Sequence, residues 1–272
     1  MGLFDGWVIV SDIDGTLLPY GAMCPSDECK AAVEKWRSEG GSFVLASGRY
    51  LQSTLKIYQG LNLDTPLIYN NGACVYSPAS NNFPSLKVLG KGIRDFINAV
   101  LSIVPDCGIA GYGKDAIYTV RENPVLLCHY QRQSIQPLQT EDYSQFCKVL
   151  ITVEAPEMEK LKEQLSKMPR FSEYQFAQST PEFYEITAKG VTKACQLDLI
   201  CSLLNTSKDK LITVGDNEND IDMLKNRNYS FAVANAVDTA KVAARFTTVA
   251  RGDSGSAIAE VVEFLAKQFQ GR

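Results

Sequence analysis

Residues 7–18, Trp-Val-Ile-Val-Ser-Asp-Ile-Asp-Gly-Thr-Leu-Leu, constrain the fold more than any other stretch, because an apolar run ends abruptly in two acids and a glycine. Trp7 to Val10 are aromatic or β-branched and lack helical spacing, which predicts a short strand. Asp12 and Asp14 are two apart, so if the strand persists their side chains leave on one face while Ile13 turns into packing. Gly15 lets the backbone turn sharply just past the carboxylates. Two like charges held together are unfavourable unless a cation or a proton sits between them. An exposed Asx-type turn closing a strand is the competing reading, and the rest of the chain has to separate the two.

The pattern continues downstream. Ser26 is a suitable helix N-cap, with Asp27 and Glu28 in the first turn, where the helix dipole favours acids. Ala32, Val33 and Trp36 mark an apolar face, and Gly40-Gly41 ends the helix. Ser42–Ala46 is a second apolar strand, followed by Ser47-Gly48-Arg49 and a helix near Leu51–Tyr58. Thr65–Tyr69 is a third strand, followed by Asn70-Asn71-Gly72. Strands alternating with helices, with polar residues at each strand end, predict an α/β fold with an open parallel sheet and crossover helices. Ligands of such sheets bind outside the carboxyl ends of the strands, where Asp12, Asp14 and Ser47 would meet.

After Asn71 the pattern changes. Residues 77–85 are polar with two prolines and read as a linker. An amphipathic helix (92–104), a hairpin (107–112 with 116–120), a helix (124–132), a strand (146–153), a helix (157–167) and a second hairpin (172–177 with 183–187) follow. Residues 84–187 therefore read as a separate α/β module inserted into a first domain made of 1–83 and 188–272. From Val191 the alternation resumes: helix 192–204, strand 210–214, a helix opening at Gly215, strand 230–233, helix 238–244, strand 246–249 and a terminal helix 256–268.

Composition excludes several classes. The 272 residues are 45% hydrophobic and 21% charged with net charge −4, ordinary for a soluble globular chain and unsuited to a nucleic-acid or anionic membrane surface. No apolar run reaches membrane-spanning length, and Asp5 with no basic leader argues against a signal peptide. The 8 cysteines form no C-x-x-C and read as buried, reduced thiols of a cytoplasmic protein. His129 is the only histidine, and its place in the insert favours a structural role.

A second acidic cluster, Gly215-Asp216-Asn217-Glu218-Asn219-Asp220, also follows an apolar strand. On a helix Asp216 and Asp220 would share a face, with Asn219 beside them. Asp216 as a simple cap with Asp220 in solvent is the bland alternative, but one cap does not require three carboxylates within five residues. With Asp12 and Asp14 the cluster offers hard oxygen donors of the kind Mg2+ takes along with waters and a substrate phosphate. Lys193 lies at a helix start, where the dipole disfavours it; near the acids it could neutralise a carboxylate and a phosphate, and a solvated lysine is the bland alternative. Ser47, with its hydroxyl, and Gly48, with its backbone N–H, could meet a phosphate at a helix N-terminus.

Asp12-Ile-Asp14-Gly15-Thr16, Ser47-Gly48-Arg49, Gly190-Val-Thr-Lys193 and Gly215-Asp216-x-x-Asn219-Asp220 resemble, in this order, the four motifs of the haloacid dehalogenase superfamily. The spans 69–73, 190–193 and 215–224 are similar to its Cof-type sugar-phosphatase branch, and the resemblance runs over essentially the whole chain. It implies a Rossmann-like parallel-sheet core with an inserted α/β cap of the IIB (C2B) type, falling between the second and third motifs. It implies Asp12 as nucleophile and Asp14 as general acid and then base. Mg2+ would be held by Asp12, the Asp14 carbonyl and Asp216, with Asp220 in support. Ser47, Gly48, Lys193 and Asn219 would hold the phosphate. Lys189 is the alternative to Lys193, Arg49 would touch phosphate or brace its loop, and Asn71 would line the site or serve its turn. The implied protein is a cytoplasmic Mg2+-dependent phosphatase of a small phosphate ester, a sugar phosphate above all, as a monomer or weak homodimer. A phosphomutase or phosphotransferase of the phosphomannomutase type and a catalytically silent binding protein are the alternatives.

Overall fold

The first strand, β1 (Val8–Ser11), is buried at every position, and the chain leaves it through α1 (Asp27–Ser38) to β2 (Ser42–Leu45). The computed structural model describes residues 2–270. Ser26 caps α1 as its sequence predicts: Ser26 Oγ accepts from the Cys29 amide at 3.1 Å. Then come α2 (Leu51–Gly60), β3 (Leu67–Tyr69), β4 (Cys74–Ser77) and β5 (Asn82–Leu86). The next elements are α3 (Ile93–Ile103), β6 (Gly108–Tyr112), β7 (Ile117–Arg121), α4 (Pro124–Gln133), β8 (Lys148–Thr152), α5 (Met158–Ser166), β9 (Tyr174–Thr180) and β10 (Phe183–Ala188). The chain ends with α6 (Leu197–Leu203), β11 (Leu211–Gly215), α7 (Ile221–Leu224), β12 (Tyr229–Ala232), α8 (Asp238–Ala243), β13 (Phe246–Thr247) and α9 (Ala257–Gln270).

The contacts divide the chain into two compact units: one runs to Pro84 and resumes at Thr192, and the other is Ser85–Val191. In the first unit the sheet order is β13-β12-β11-β1-β2, with every pairing parallel. The chain moves from β1 to β2 on one side and later returns to β11 on the other. That reversal opens a crevice at the carboxyl end of β1, which is where such folds bind ligands. Hydrophobic burial on both faces holds the sheet, with Val8, Val10, Val44, Leu197 and Ile200 in one cluster.

Three expectations are corrected here. β3 is not part of the five-stranded parallel sheet; it lies beside the end of β2 through the parallel Ala46–Ile68 bridge and the Ser47 amide bond to the Ile68 carbonyl at 3.0 Å, and pairs antiparallel with β4. The polar stretch 77–85 is no linker but the turn and second strand of a hairpin, β4–β5. Tyr76 and Phe83 pack their rings 5.1 Å apart across it, Tyr76 OH donates to Asn81 Oδ1 at 2.8 Å, and Asn81 takes φ +47° to make the turn. The helix expected from Thr192 begins as a short 3-10 turn, Lys193–Gln196, before α6.

In the second unit the sheet order is β7-β6-β8-β10-β9, antiparallel throughout. Phe96, Ile97, Val100, Leu161 and Leu165 from α3 and α5 cover one face, against Ile109, Val149, Ile151 and Ile186. Strand alternation puts Lys148 and Glu185 on the opposite face. Lys148 Nζ meets Glu185 Oε1 at 2.9 Å and stands 4.3 Å above the Tyr112 ring. His129 is 3.4 Å from Tyr112 OH and edge-on to Phe183, and burial pushes its pKa down to about 4, so it is neutral at pH 7. None of the eight cysteines forms a disulfide; Cys24 and Cys195 are exposed, contrary to the expectation of buried thiols. Among the described residues no helix is long and apolar enough to cross a membrane.

Candidate active site

The site starts where β1 stops. The Asp12 amide donates to the Val214 carbonyl at 3.0 Å, so the backbone stays zipped to β11 one residue past the strand. This sets Asp12, 5% exposed, beside the residues that follow β11. Asp216 is the first of them and is 2% exposed. It precedes the helical turn that Asn217 caps, so Asp216 and Asp220 do not share a helix face as the sequence suggests. Instead Asp220 folds back, and its Oδ2 accepts from the amides of Asp216 and Asn217, both at 3.0 Å.

Lys193 reaches this group from the turn preceding α6. Its Nζ donates to Asp12 Oδ1 at 2.5 Å and to Asp220 Oδ1 at 2.7 Å, and the residue is 1% exposed. Lys189 lies exposed, so Lys193 is the lysine among the acids. Asp220 thereby commits both oxygens, one to the ammonium and one to backbone amides. Asp216 receives Thr16 Oγ1 on Oδ1 at 2.8 Å and Tyr20 OH on Oδ2 at 2.5 Å. Gly15 passes directly under that carboxylate with φ +78°; a Cβ there would stand 2.4 Å from Asp216 Oδ2.

Asp14 is held differently. β1 has ended and the chain is turning, so Asp14 does not share a strand face with Asp12. Arg49 Nε donates to Asp14 Oδ2 at 2.7 Å and Nη2 to Oδ1 at 2.6 Å, a bidentate clamp, while the Gly21 amide adds a third bond at 3.0 Å. Arg49 Nη2 also donates to the Ala22 carbonyl at 2.7 Å, so the arginine braces the loop after β1.

The remaining expected residues sit at the end of β2. The Ala46 amide donates to Ser11 O at 2.8 Å, and the Ser11–Leu45 register sets Ser47 one residue beyond the level of Asp12 at the sheet edge. Ser47 is buried, and its Oγ accepts from the Arg49 amide at 3.1 Å. Gly48 lies against the Asn71 carboxamide, whose Oδ1 accepts from Asn219 Nδ2 at 3.1 Å. The fold thus gathers Asp12, Lys193, Asp216 and Asp220 into one buried cluster and links Ser47, Gly48 and Asn219 beside Asn71. Thr16 and Tyr20 were not singled out in the sequence. Thr16 stands inside the first motif and could have been found there; no spacing rule points from Tyr20 to Asp216.

Three carboxylates face one ammonium, and burial sharpens the imbalance. Burial, then repulsion from Asp220, Asp216 and Asp14, raises the Asp12 pKa well above its ordinary value, against the pull of Lys193. Asp216 is pushed up to about 6 by burial and by Asp220, against the Tyr20 and Thr16 hydrogen bonds and Lys193. Burial alone would lower the Lys193 pKa, but attraction and hydrogen bonds from Asp12 and Asp220 outweigh it and raise it. One oxygen from each of Asp12, Asp216 and Asp220 lies within 4.8 Å of the others. An anionic, all-oxygen donor set with excess negative charge fits a hard divalent cation.

The haloacid dehalogenase-like hydrolase model matches residues 9–262. The chain belongs to that family. It is 22% identical over 97% of its length, and 97% of the relative's, to a 5-amino-6-(5-phospho-D-ribitylamino)uracil phosphatase, YitU, of Bacillus subtilis. It is 26% identical to the pyridoxal phosphate phosphatase YbhA of Escherichia coli, covering 94% of this chain and 97% of that one. Among solved structures, a haloacid dehalogenase-like hydrolase from Bacteroides thetaiotaomicron matches with TM-score 0.81 and 22% identity over 95% of this chain and 99% of that one. The subclass IIB sugar phosphatase BT4131 matches with TM-score 0.80 and 19% identity over 96% and 99%, a likeness of fold. Family and named relatives together put the chain in the class of phosphoric monoester hydrolases.

Proposed function

We propose that the protein is a Mg2+-dependent phosphatase of a small phosphorylated metabolite, a sugar phosphate first, acting through an aspartyl-phosphate on Asp12. The observation that carries this reading is the buried Asp12–Lys193–Asp220 chain beside Asp216, at the carboxyl end of the central strand. Asp12 and Asp216, with the Asp14 carbonyl, hold the metal, and Asp220 fixes the loop behind them. When bound, Mg2+ supplies positive charge that offsets repulsion between the phosphate dianion and the acids.

The side chains divide the chemistry. An Asp12 oxygen attacks phosphorus as the bond from phosphorus to the leaving oxygen breaks, and Asp14 gives its proton to that oxygen. Asp14 then takes a proton from water, the water oxygen attacks phosphorus, and the acyl-phosphate bond breaks to restore the Asp12 carboxylate. Lys193, Ser47, the Gly48 amide and Asn219 orient the phosphoryl oxygens, since phosphoryl transfer depends mainly on positioning and charge. Arg49 orients Asp14. In this reading the inserted unit, Ser85–Val191, corresponds to the substrate-selecting cap expected from the sequence. The curated relatives act on phosphorylated small molecules, and a subclass IIB sugar phosphatase shares the fold; both support the substrate class. Eight cysteines without a disulfide suit the reducing cytoplasm.

The test is a panel of phosphate monoesters assayed with and without Mg2+. Release of inorganic phosphate from a sugar phosphate that EDTA abolishes and Mg2+ restores is the expected result. Activity indifferent to EDTA would remove the metal from the account, and isomerised sugar phosphate without free phosphate would replace hydrolysis by transfer.

A further inference from the structure

The strained turn at residues 70–72 touches three parts of the site at once. Asn70, Asn71 and Gly72 hold φ of +49°, +55° and +91°, a left-handed run that side-chain-bearing residues rarely adopt in succession. Such backbone persists where its surroundings enforce it, and those surroundings are the candidate phosphate-binding segments. The Asn71 amide donates to the Ser47 carbonyl at 3.0 Å. A Cβ on Gly48 would stand 2.8 Å from Asn71 Oδ1, so the carboxamide packs directly on the Gly48 backbone. Gly72 docks on the turn that carries Lys193: Gln196 Nε2 donates to its carbonyl at 2.6 Å, and a Cβ on Gly72 would come 2.1 Å from Thr192 O.

The backbone conformation does not by itself call for asparagine at 71, because glycine adopts that φ at no steric cost. What asparagine adds is a carboxamide wedged between Gly48 and Asn219, with Oδ1 accepting from Asn219 Nδ2 at 3.1 Å. A carboxamide nitrogen carries two hydrogens. With one directed at Asn71, the rotation of the Asn219 side chain is fixed and the direction of the second hydrogen is set.

We propose that Asn71 is a positioning residue for phosphate recognition: buttressed by Gly48, it locks the Asn219 carboxamide so that its second N–H meets a phosphoryl oxygen. The inference rests on the reading of Asn219 as a phosphate-holding residue given above. In this role Asn71 acts through Asn219.

A double-mutant cycle tests it, read by inhibition of ester hydrolysis by inorganic phosphate in Mg2+ buffer. Asn71→Gly keeps the left-handed backbone and removes only the carboxamide. It is expected to weaken phosphate inhibition and raise KM roughly tenfold, the effect of losing one charge-assisted hydrogen bond, with the melting temperature unchanged. Asn219→Ala gives a similar loss, and adding Asn71→Gly to it gives no further one. Full multiplication of the two losses in the double variant overturns the inference, as does wild-type phosphate inhibition in Asn71→Gly while Asn219→Ala is impaired. If Asn219→Ala itself leaves phosphate inhibition intact, the phosphate role of Asn219 falls first and the inference falls with it.

Discussion

Each of the two units buries a lysine against carboxylate, and the two arrangements differ in balance. In the inserted unit Lys148 is paired with Glu185 at 2.9 Å and capped by the Tyr112 ring. In the core unit Lys193 meets Asp12 and Asp220 with Asp216 alongside, one charge against three. A balanced buried pair satisfies itself and serves packing and register. An unbalanced one is incomplete without further positive charge, and Asp12 and Asp216 carry raised pKa values that a cation or protons relieve. The same pair of residue types thus marks structure in one place and chemistry in the other, and the excess of acids separates them.

The sharpest way to break this contrast is to neutralise the acid at the centre of the unbalanced cluster. Asp12→Asn should lower kcat by a factor on the order of 10⁴ or more with the fold retained, measured by phosphate release and circular dichroism. A variant still near wild-type rate would end the catalytic assignment.

Removing the lysines compares the clusters directly. Lys193→Met and Lys148→Met should each cost about 3–5 kcal/mol in denaturant unfolding, because each strands a buried carboxylate. Adding Glu185→Leu to Lys148→Met should recover most of that loss, as expected for a balanced pair. Adding Asp220→Leu to Lys193→Met should not, since Asp12 remains buried and the Asp216 and Asn217 amides lose their acceptor. Equal recovery in both would erase the distinction.

A smaller effect belongs to Arg49. Arg49→Lys keeps the charge but loses the bidentate clamp on Asp14, and should slow hydrolysis of sugar phosphates roughly tenfold, and p-nitrophenyl phosphate less, because the better leaving group has less need of a proton. An equal loss on both substrates would separate Arg49 from proton delivery.

The smallest effect is a pH signature. Asp216 has a folded pKa of about 6, above its unfolded value, so the folded state binds the extra proton. Without metal, stability should therefore fall as pH rises from about 4 to about 6 and stay low above that. Because binding needs the ionised acids, Mg2+ should raise the melting temperature more at pH 7.5 than at pH 5. A metal-induced shift that is larger at pH 5 would contradict the charge imbalance.

What could be read from the sequence and what could not divide along the range of the interactions. The parallel core is legible because apolar runs that stop at polar residues alternate with helices, though the same alternation misplaced β3 and left the strand order open. Asp12, Lys193 and Asp216 are legible because each lies at the edge of its element. The β4–β5 hairpin is hidden because two prolines and a polar run mask a ring contact that exists only after pairing. The fate of Asp14 depends on Arg49, 35 residues on, and that of Asp216 on Tyr20, 196 residues back; neither partner has a local signature. Lys148 and Glu185 look like solvated strand residues until the sheet buries them.

The most direct test of the central claim is to trap the phosphoenzyme. Asp14→Asn, which should slow its breakdown, is mixed with a good-leaving-group phosphate ester and Mg2+, quenched in acid and mapped by mass spectrometry. One phosphoryl group on the peptide containing Asp12, absent when Asp12→Asn is added, is the predicted result. Steady phosphate release with no phosphoryl group on that peptide, unaffected by Asp12→Asn, would contradict it.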